Sequence, residues 1–409
     1  MKHSTVDEAS QTYDFIIVGG GLAGLSTAYY LNQSKFKTAK ILIIDQDTKQ
    51  TNDKTWSFWE NGQGDFDHLV HQQWKGIWFH GSNQFSAFLP IDSYRYKMIR
   101  SVDFYDYMHQ QLSVNPNIVF LHTVVEQVTG KEPIGGIVKT QQGTFIAQKM
   151  VFDSTFRLPY TNWHYSQMLQ HFKGWVIETN EEVFDIEKPT MFDFRIDQHN
   201  ECRFVYVLPQ STRKALVEFT IFSDNLLEDT VYEQHLKAYI QEFLKIEKYQ
   251  IHEVENGIIP MSDEPHVQIP FPYVIRIGTS GGYVKASTGY SFSRTQRKLK
   301  QLVAELEQVN GDFDTFDYQK ESWFFPEYAA TWKDYLDSVL LDVMLKKRHS
   351  AKDIFTRLFS KNKPSQILKF LDEDTRLEED IAIMRTVPII PFIISAVAVF
   401  FRKLWYYLR

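Results

Sequence analysis

Short apolar runs and amphipathic stretches alternate along this chain, and their periods predict most of its elements. Tyr13-Asp14-Phe15-Ile16-Ile17-Val18 reads as a buried strand, Leu25 to Asn32 as the helix after it, and Ile41-Leu42-Ile43-Ile44 as a second strand. Strand-like aromatic runs follow around Trp78-Phe79 and from Phe85 to Phe88. Met98, Val102, Tyr105 and Met108 then recur at helical spacing and predict a helix from Tyr96 to Leu112. Ile118 to Val125 reads as a strand. Gly135 to Thr140 and Thr144 to Ala147 read as a hairpin that returns to Lys149-Met150-Val151-Phe152-Asp153-Ser154. Between residues 172 and 260 the texture changes. Trp175 to Thr179, Met191 to Arg195, Arg203 to Pro209 and Ala215 to Thr220 read as strands, followed by a helix from Val231 to Leu244. Four strands with few helices between them predict a largely antiparallel sheet, one face of which can wall a chamber. Tyr273 to Gly278 is a further strand, Thr279 to Ser287 a glycine-rich turn and Gly289 to Leu306 a long helix. Beyond residue 311 the pattern is mainly helical, with helices from Trp332 to Lys347 and Ala351 to Leu358.

The turn between the first strand and the first helix is Gly19-Gly20-Gly21-Leu22-Ala23-Gly24, and the second strand ends on Asp45. Strand, glycine turn, helix, strand and terminal acid form a dinucleotide fingerprint. Gly19 allows the tight turn, Gly21 lets the backbone approach a pyrophosphate at the helix N-terminus, and Gly24 lets helix and strand pack closely. Asp45 is placed to accept hydrogen bonds from a ribose with a free 2′-hydroxyl. The late turn with Gly278, Gly281 and Gly282 offers amide donors and a positive helix end; a plain C-terminal sheet connection is the other reading. The polar loop 47–56 either borders the cofactor or is a surface loop anchored by Trp56 and Trp59.

Composition narrows the classes. With 44 Lys and Arg against 51 Asp and Glu, the net charge of -7 argues against a broad nucleic-acid surface. The chain holds 32 Phe, 21 Tyr and 9 Trp, an aromatic excess that also suits a long apolar or cationic substrate. Cys202 is the only cysteine, so no intrachain disulfide or Cys-based metal cluster forms. The 13 histidines show no HxxxH or HExxH spacing, and no metal site is expected. Ser154, Ser211 and Ser280 lack a nucleophile elbow. The polar, acidic start carries no secretory signal, which makes a cytoplasmic, reducing location the default. From Thr386 to Phe401 the chain is uncharged, then meets Arg402-Lys403 and Trp405-Tyr406-Tyr407. That is short for a bilayer crossing of about 20 residues, and suits either a membrane-surface anchor or a buried terminal helix.

Together these motifs resemble the lycopene beta-cyclases of bacterial carotenoid synthesis. The marks are the Gly19–Gly24 fingerprint, Asp53 to Trp59, Phe204 to Pro209, Leu216-Val217-Glu218-Phe219-Thr220, Gly257 to Met261, Gly278 to Phe292 and Met384 to Pro388. The resemblance implies a flavoprotein that uses reduced FAD, with NAD(P)H only as its reductant, to convert lycopene to gamma-carotene and then beta-carotene. The implied fold is α/β: a Rossmann-like FAD-binding domain (1–50, 93–155 and 272–308) interleaved with a largely antiparallel β substrate domain (51–92 and 156–271). A mainly helical C-terminal region (309–409) follows, with a membrane-surface segment at 387–408 against the inner face of the cytoplasmic membrane. The cofactor-binding positions implied are Gly19, Gly21, Gly24, Asp45, Lys54, Thr55, Gly278, Gly281, Gly282, Lys285, Thr288 and Gly289. Lys285 faces the flavin or is an ordinary surface lysine. The family's essential strand carboxylate falls on Glu218. The chain departs at the next position, where the family often has a second acid and Phe219 stands here.

Ring closure begins with a proton delivered to C2 of the terminal double bond. Cation character then develops at C1, the C5=C6 bond attacks it, and C6 loses a proton. A carboxylic acid can start this only if burial keeps it protonated, which Leu216, Val217 and Phe219 favour if they line the site. A reduced, anionic flavin beside the cation explains a redox cofactor in a reaction without net electron transfer. Glu218 or a flavin atom then takes the C6 proton. The alternative is an FAD-dependent oxidoreductase or hydroxylase on an apolar isoprenoid, which consumes NAD(P)H in proportion to product.

Overall fold

The run Phe15-Ile16-Ile17-Val18 is buried on both sides because its alternate side chains feed two separate cores. A computed structural model describes residues 11–156, 164–308 and 332–407. Residues 309–331, the start of the expected helical C-terminal region, lie outside the described residues. In the first sheet, β1 (Gln11–Val18) lies between β2 (Ile41–Asp45) and β11 (Gly143–Asp153), parallel to both. β8 (Ile118–His122) extends it beyond β2, and β17 (Val274–Arg276) pairs parallel with the end of β11. β10 (Gly135–Thr140) and β9 (Val125–Lys131) add an antiparallel edge. One face is covered by α1 (Leu22–Gln33), α2 (Ser101–Ser113) and α4 (Phe292–Gln308), which contribute Leu25, Phe104 and Leu299 to the core.

The second sheet has the order β16-β12-β15-β14-β13-β5-β6. Its strands are β5 (Gly76–His80), β6 (Ser86–Pro90), β12 (Gln167–Glu178), β13 (Thr190–Asp193), β14 (Cys202–Pro209), β15 (Lys214–Ser223) and β16 (Gln250–Ser262). All neighbours are antiparallel except β13 with β5. α3 (Asp229–Glu242) packs on one face against Val217, Phe219 and Ile221. The other face meets α5 (Trp332–Leu345) and α6 (Ala351–Lys361), with Phe192 stacked on Phe355. A small antiparallel sheet of β3 (Thr55–Asn61), β7 (Tyr94–Arg100) and β4 (Gln72–Trp74) lies against α2 and the late turn.

Several expected boundaries move. Residues 96–100 are strand, not helix: Tyr94, Tyr96 and Met98 are buried and pair with β3 and β4, and helical spacing begins only at Ser101. Residues 144–147 and 149–153 form one strand, β11. The late helix starts at Phe292 rather than Gly289, which has φ +73° and belongs to the turn. β16 escapes the sequence pattern because it is an edge strand that exposes Ile251, Val254 and Ile258 while burying Glu255, and it is interrupted by Gly257 and Pro260. α7 (Pro364–Leu371) and α8 (Leu377–Met384) are likewise additions.

The last helix, α9 (Ile389–Tyr407), packs on α5, with the Tyr335 hydroxyl donating to Ala396 O at 2.7 Å. Ile390, Ile393, Val397, Phe400, Phe401 and Trp405 form a stripe left facing outward. Arg402 turns inward to Asp263 and to Ser166 Oγ. Among the described residues no helix is long and apolar enough to cross a membrane.

The C-terminal helices are tied to the late glycine turn by a buried charge cluster. Lys285 Nζ lies 2.8 Å from both Asp337 on α5 and Glu373, and Arg294 also reaches Glu373 at 2.6 Å. Ser287 donates to the second oxygen of Asp337. Breaking such a buried cluster from one side leaves uncompensated charge, at a cost of about 3–5 kcal/mol. Lys285→Met is therefore expected to lower unfolding free energy by about 3 kcal/mol, read from urea midpoints; an unchanged midpoint contradicts this role.

Candidate active site

The first glycine turn has the geometry that the fingerprint requires. A Cβ on Gly24 would lie 1.8 Å from Gly19 O, so helix and turn pack only with glycine there. A Cβ on Gly21 would instead meet nothing within 4 Å, and Gly21 caps α1 without a side-chain hydrogen bond. The helix therefore presents its first-turn amides over an open cradle that suits a phosphate. Asp45 closes over the turn, accepting from the Gly20 amide at 2.5 Å and the Asp47 amide at 2.7 Å. A cleft of about 830 Å³ runs from Gly19 and Asp45 past Asp153 to Arg276, Thr279 and Ser280. This lies within the ~300–1,000 Å³ of small-molecule and cofactor sites. Uncapped helix, cradle and acid fit the adenosine-diphosphate half of a dinucleotide, and the cleft leads onward to the late turn.

That late turn is folded largely on itself. The amides of Gly281, Gly282, Tyr283, Thr288 and Gly289 donate to carbonyls of the same segment, so fewer donors face outward than its composition suggests. Lys285 is neither surface lysine nor ligand to the cleft, since its ammonium is held by Asp337 and Glu373. Thr288 and Gly289 line a second, smaller cavity, where the Thr288 hydroxyl is buried with no hydrogen-bond partner. Lys54 extends toward Asp53 at 3.5 Å and is half-exposed. Thr55 lines the smaller cavity instead of the cleft.

Glu218 sits at that cavity. Side chains alternate along β15, so Leu216, Glu218 and Thr220 face one way, and Val217 and Phe219 face the other. Val217 and Phe219 lie in the core beneath α3, with the Phe219 ring 4.6 Å from His235. They do not surround Glu218 as expected from sequence proximity. The apolar residue in the position that the family often fills with an acid thus belongs to a different core. The groups enclosing Glu218 are Leu216, Tyr96, Tyr206, Phe172 and Tyr290. Thr220 donates to Glu218 Oε1 at 2.9 Å. The cavity holds about 90 Å³.

A second acid does face Glu218, from another strand. Across β14, β15, β12 and β16 the register aligns Tyr206, Glu218, Gly174 and Glu255 in one row. Strands are about 4.8 Å apart, so residues two strands away meet only when the one between has no side chain. Gly174 is that residue: a Cβ there would lie 3.1 Å from Glu255 Cγ and 3.3 Å from Glu218 Cβ. Glu255 is 3% exposed and Glu218 9%, so both carboxyls leave water almost completely. The Thr55 hydroxyl donates to Glu255 Oε2 at 2.9 Å, while Oε1 is buried without a hydrogen-bond partner. Burial first, and the Glu255 charge second, push Glu218 well above the ordinary carboxyl range. Burial raises Glu255 to about 7. The two carboxyls titrate as a pair, and burial favours a retained proton over two carboxylates side by side.

The phenols around this pair stay neutral. Burial raises Tyr96, Tyr206 and Tyr290 well above 10, and Tyr206 and Tyr290 share a hydrogen bond of 3.2 Å. Trp59 packs edge-on against Tyr290 at 4.4 Å. The site is thus a dry, aromatic-walled acid, chemically suited to protonating an unactivated double bond and surrounding the resulting cation with π faces.

Comparison with known proteins follows the same direction. Residues 14–397 match the family described as lycopene cyclase protein. The chain is 26% identical over 293 residues to lycopene beta-cyclase of Pseudescherichia vulneris, covering 68% of this chain and 70% of that one. It is 26% identical over 306 residues to the chloroplastic lycopene beta cyclase of Arabidopsis thaliana, covering 70% and 58%. Among solved structures, a geranylgeranyl bacteriochlorophyll reductase-like protein from Thermoplasma acidophilum superposes with a TM-score of 0.65 at 14% identity, over 93% of this chain and 100% of that one. A flavin-dependent brominase gives 0.59 at 13% identity, over 88% and 93%. The structural likeness establishes a shared α/β architecture, and the match over nearly the whole length establishes descent: the chain belongs to the lycopene cyclase protein family.

Proposed function

We infer that the chain closes the linear ends of lycopene into beta-ionone rings, giving gamma-carotene and then beta-carotene, as an isomerase that transfers no net electrons. The observation that carries this is a carboxyl, Glu218, buried among aromatic rings where the second sheet meets the late turn, a setting that favours its protonated form. Its O–H bond breaks as the C2–H bond forms on the terminal double bond. Cation character at C1 is then taken up by attack of C5=C6, and loss of the C6 proton leaves an isomer of the starting polyene.

The walls of the site serve the cation. Each desolvated ring offers roughly 0.5–2 kcal/mol to a neighbouring positive charge, and Tyr96, Tyr206, Tyr290, Trp56, Phe172 and Phe292 all line the cavity. Because the phenols are neutral, they are poor traps for the cation. The cavity equals the liquid volume of about three waters, at ~30 Å³ each, so seating a polyene end displaces some of these side chains. Gly19, Gly21, Gly24 and Asp45 would hold the ADP half of FAD, with Gly278, Gly281, Gly282, Thr288 and Gly289 toward the flavin end. When bound, FAD reduced by NAD(P)H supplies an electron-rich ring whose negative field favours the cation.

Delivery of so apolar a substrate favours a lipid surface at the cytoplasmic face of the membrane, and the outward stripe of α9 supports it. Because Arg402 is spent on Asp263, attachment rests on the apolar stripe more than on charge. Replacing Phe400 and Phe401 by Ser should reduce co-sedimentation with phospholipid vesicles at least tenfold, about 1.4 kcal/mol; undiminished binding contradicts the anchor.

The acid itself is tested in cells that accumulate lycopene. Glu218→Gln keeps the side-chain volume but holds no transferable acid proton, and should reduce cyclisation at least about a hundredfold in folded, FAD-loaded protein. Beta-carotene formed at the rate of the unsubstituted chain removes Glu218 from this role.

A further inference from the structure

The reading of Glu218 as the acid leaves unexplained why a second carboxyl is buried beside it. An isolated buried glutamate costs several kcal/mol unless it is neutral or paired, and the main electrostatic partners of these two groups include no cation. Glu218 faces Glu255 from β16, together with the phenols of Tyr96, Tyr206 and Tyr290. Glu255 also feels Glu253 and Asp53, but Arg100 pairs with Glu253 at 2.6 Å and Lys54 with Asp53 at 3.5 Å. Glycine at position 174 opens the gap, Thr55 fixes one Glu255 oxygen, and the other has no competing partner. Each of these features aims one carboxyl at the other.

We propose that Glu255 is the positioning residue of this site: anchored by Thr55 and reaching across Gly174, it holds the transferable proton on Glu218 and draws it back after ring closure. In the resting pair one proton is held on Glu218, with Glu255 as its acceptor. Transfer to C2 breaks the Glu218 O–H bond and leaves two carboxylates side by side. Their mutual repulsion makes Glu218 a stronger base than it would be alone, so the proton released from C6 returns to a Glu218 oxygen. The two transfers cancel, and no external acid, base or electron is consumed. Glu255 touches neither reacting carbon in this scheme; it acts through Glu218.

The consequence is a pH dependence with a defined sign. Activity requires protonated Glu218 and falls as pH rises through its folded pKa. Removing the Glu255 charge lowers that pKa, so the alkaline limb moves to lower pH. The test compares unsubstituted, Glu255→Gln and Glu255→Asp holoenzymes on lycopene-loaded vesicles. It follows kcat against pH and, by infrared difference titration, the protonated-carboxyl band that Glu218→Gln abolishes. Glu255→Gln should lower kcat even on the acid plateau, because the second carboxylate no longer helps to draw the proton back, and shift both the limb and the band down by about one pH unit or more. Glu255→Asp, which retains a carboxylate, should move both back toward their original positions. If Glu255→Gln leaves limb and band unmoved, the proposal is overturned while Glu218 keeps its role. If the band persists in Glu218→Gln, its carrier is another group and the proposal is overturned as well.

Discussion

Two carboxyls with only a glycine between them are the constraint on which the active end of this molecule depends. Water would ionise both, and a dry site cannot bear that charge without a cation, so the pair keeps a proton. Everything adjacent preserves that condition. β12 supplies Gly174, β16 brings Glu255 from the edge of the sheet, and Thr55 joins them from the start of β3. Phe172, Tyr96 and Tyr290 line the cavity around Glu218. The second sheet is therefore more than a wall: its register sets the acidity of the site.

The relation between this site and the cleft explains how one architecture serves different chemistry. β16 borders both, with Ile259 at the small cavity and Pro260 at the cleft, and the late turn reaches the cleft through Ser280 and the cavity through Thr288. The reductase-like protein and the brominase share the frame at 13–14% identity, and such likeness carries no chemistry with it. In this chain the row Tyr206, Glu218, Gly174 and Glu255 brings two carboxyls together beside the small cavity. The C-terminal helices complete the arrangement by locking the late turn through Lys285, Asp337 and Glu373.

What could be read from the sequence was what depends on local order. The glycine turn, its helix and Asp45 follow each other within one βαβ unit, and the structure keeps their spacing. Glu218 could be singled out because its motif is contiguous. Its partner could not, since β16 exposes Val254 and Ile258 and buries Glu255, the reverse of the usual alternation, and only register across a third strand reveals the encounter. One sign was present: Gly174 interrupts an otherwise bulky strand, and a glycine in a strand marks close approach. Phe219 was misplaced by treating sequence neighbours as spatial neighbours, although alternation along β15 sends it to the opposite face. Lys285 and Arg402 carry charges whose partners, Asp337, Glu373 and Asp263, lie far away in sequence. Helix Tyr96–Leu112 began too early because the first residues of a helical pattern can also satisfy a strand.

A proton shared by Glu218 and Glu255 at neutral pH would be directly visible as deuterium. Neutron diffraction from a crystal exchanged into heavy water at pH 7 addresses it without reference to turnover. The account predicts deuterium density on a Glu218 carboxyl oxygen, directed toward Glu255. Two bare carboxylates at that position, solvated or bridged by a cation, would contradict it.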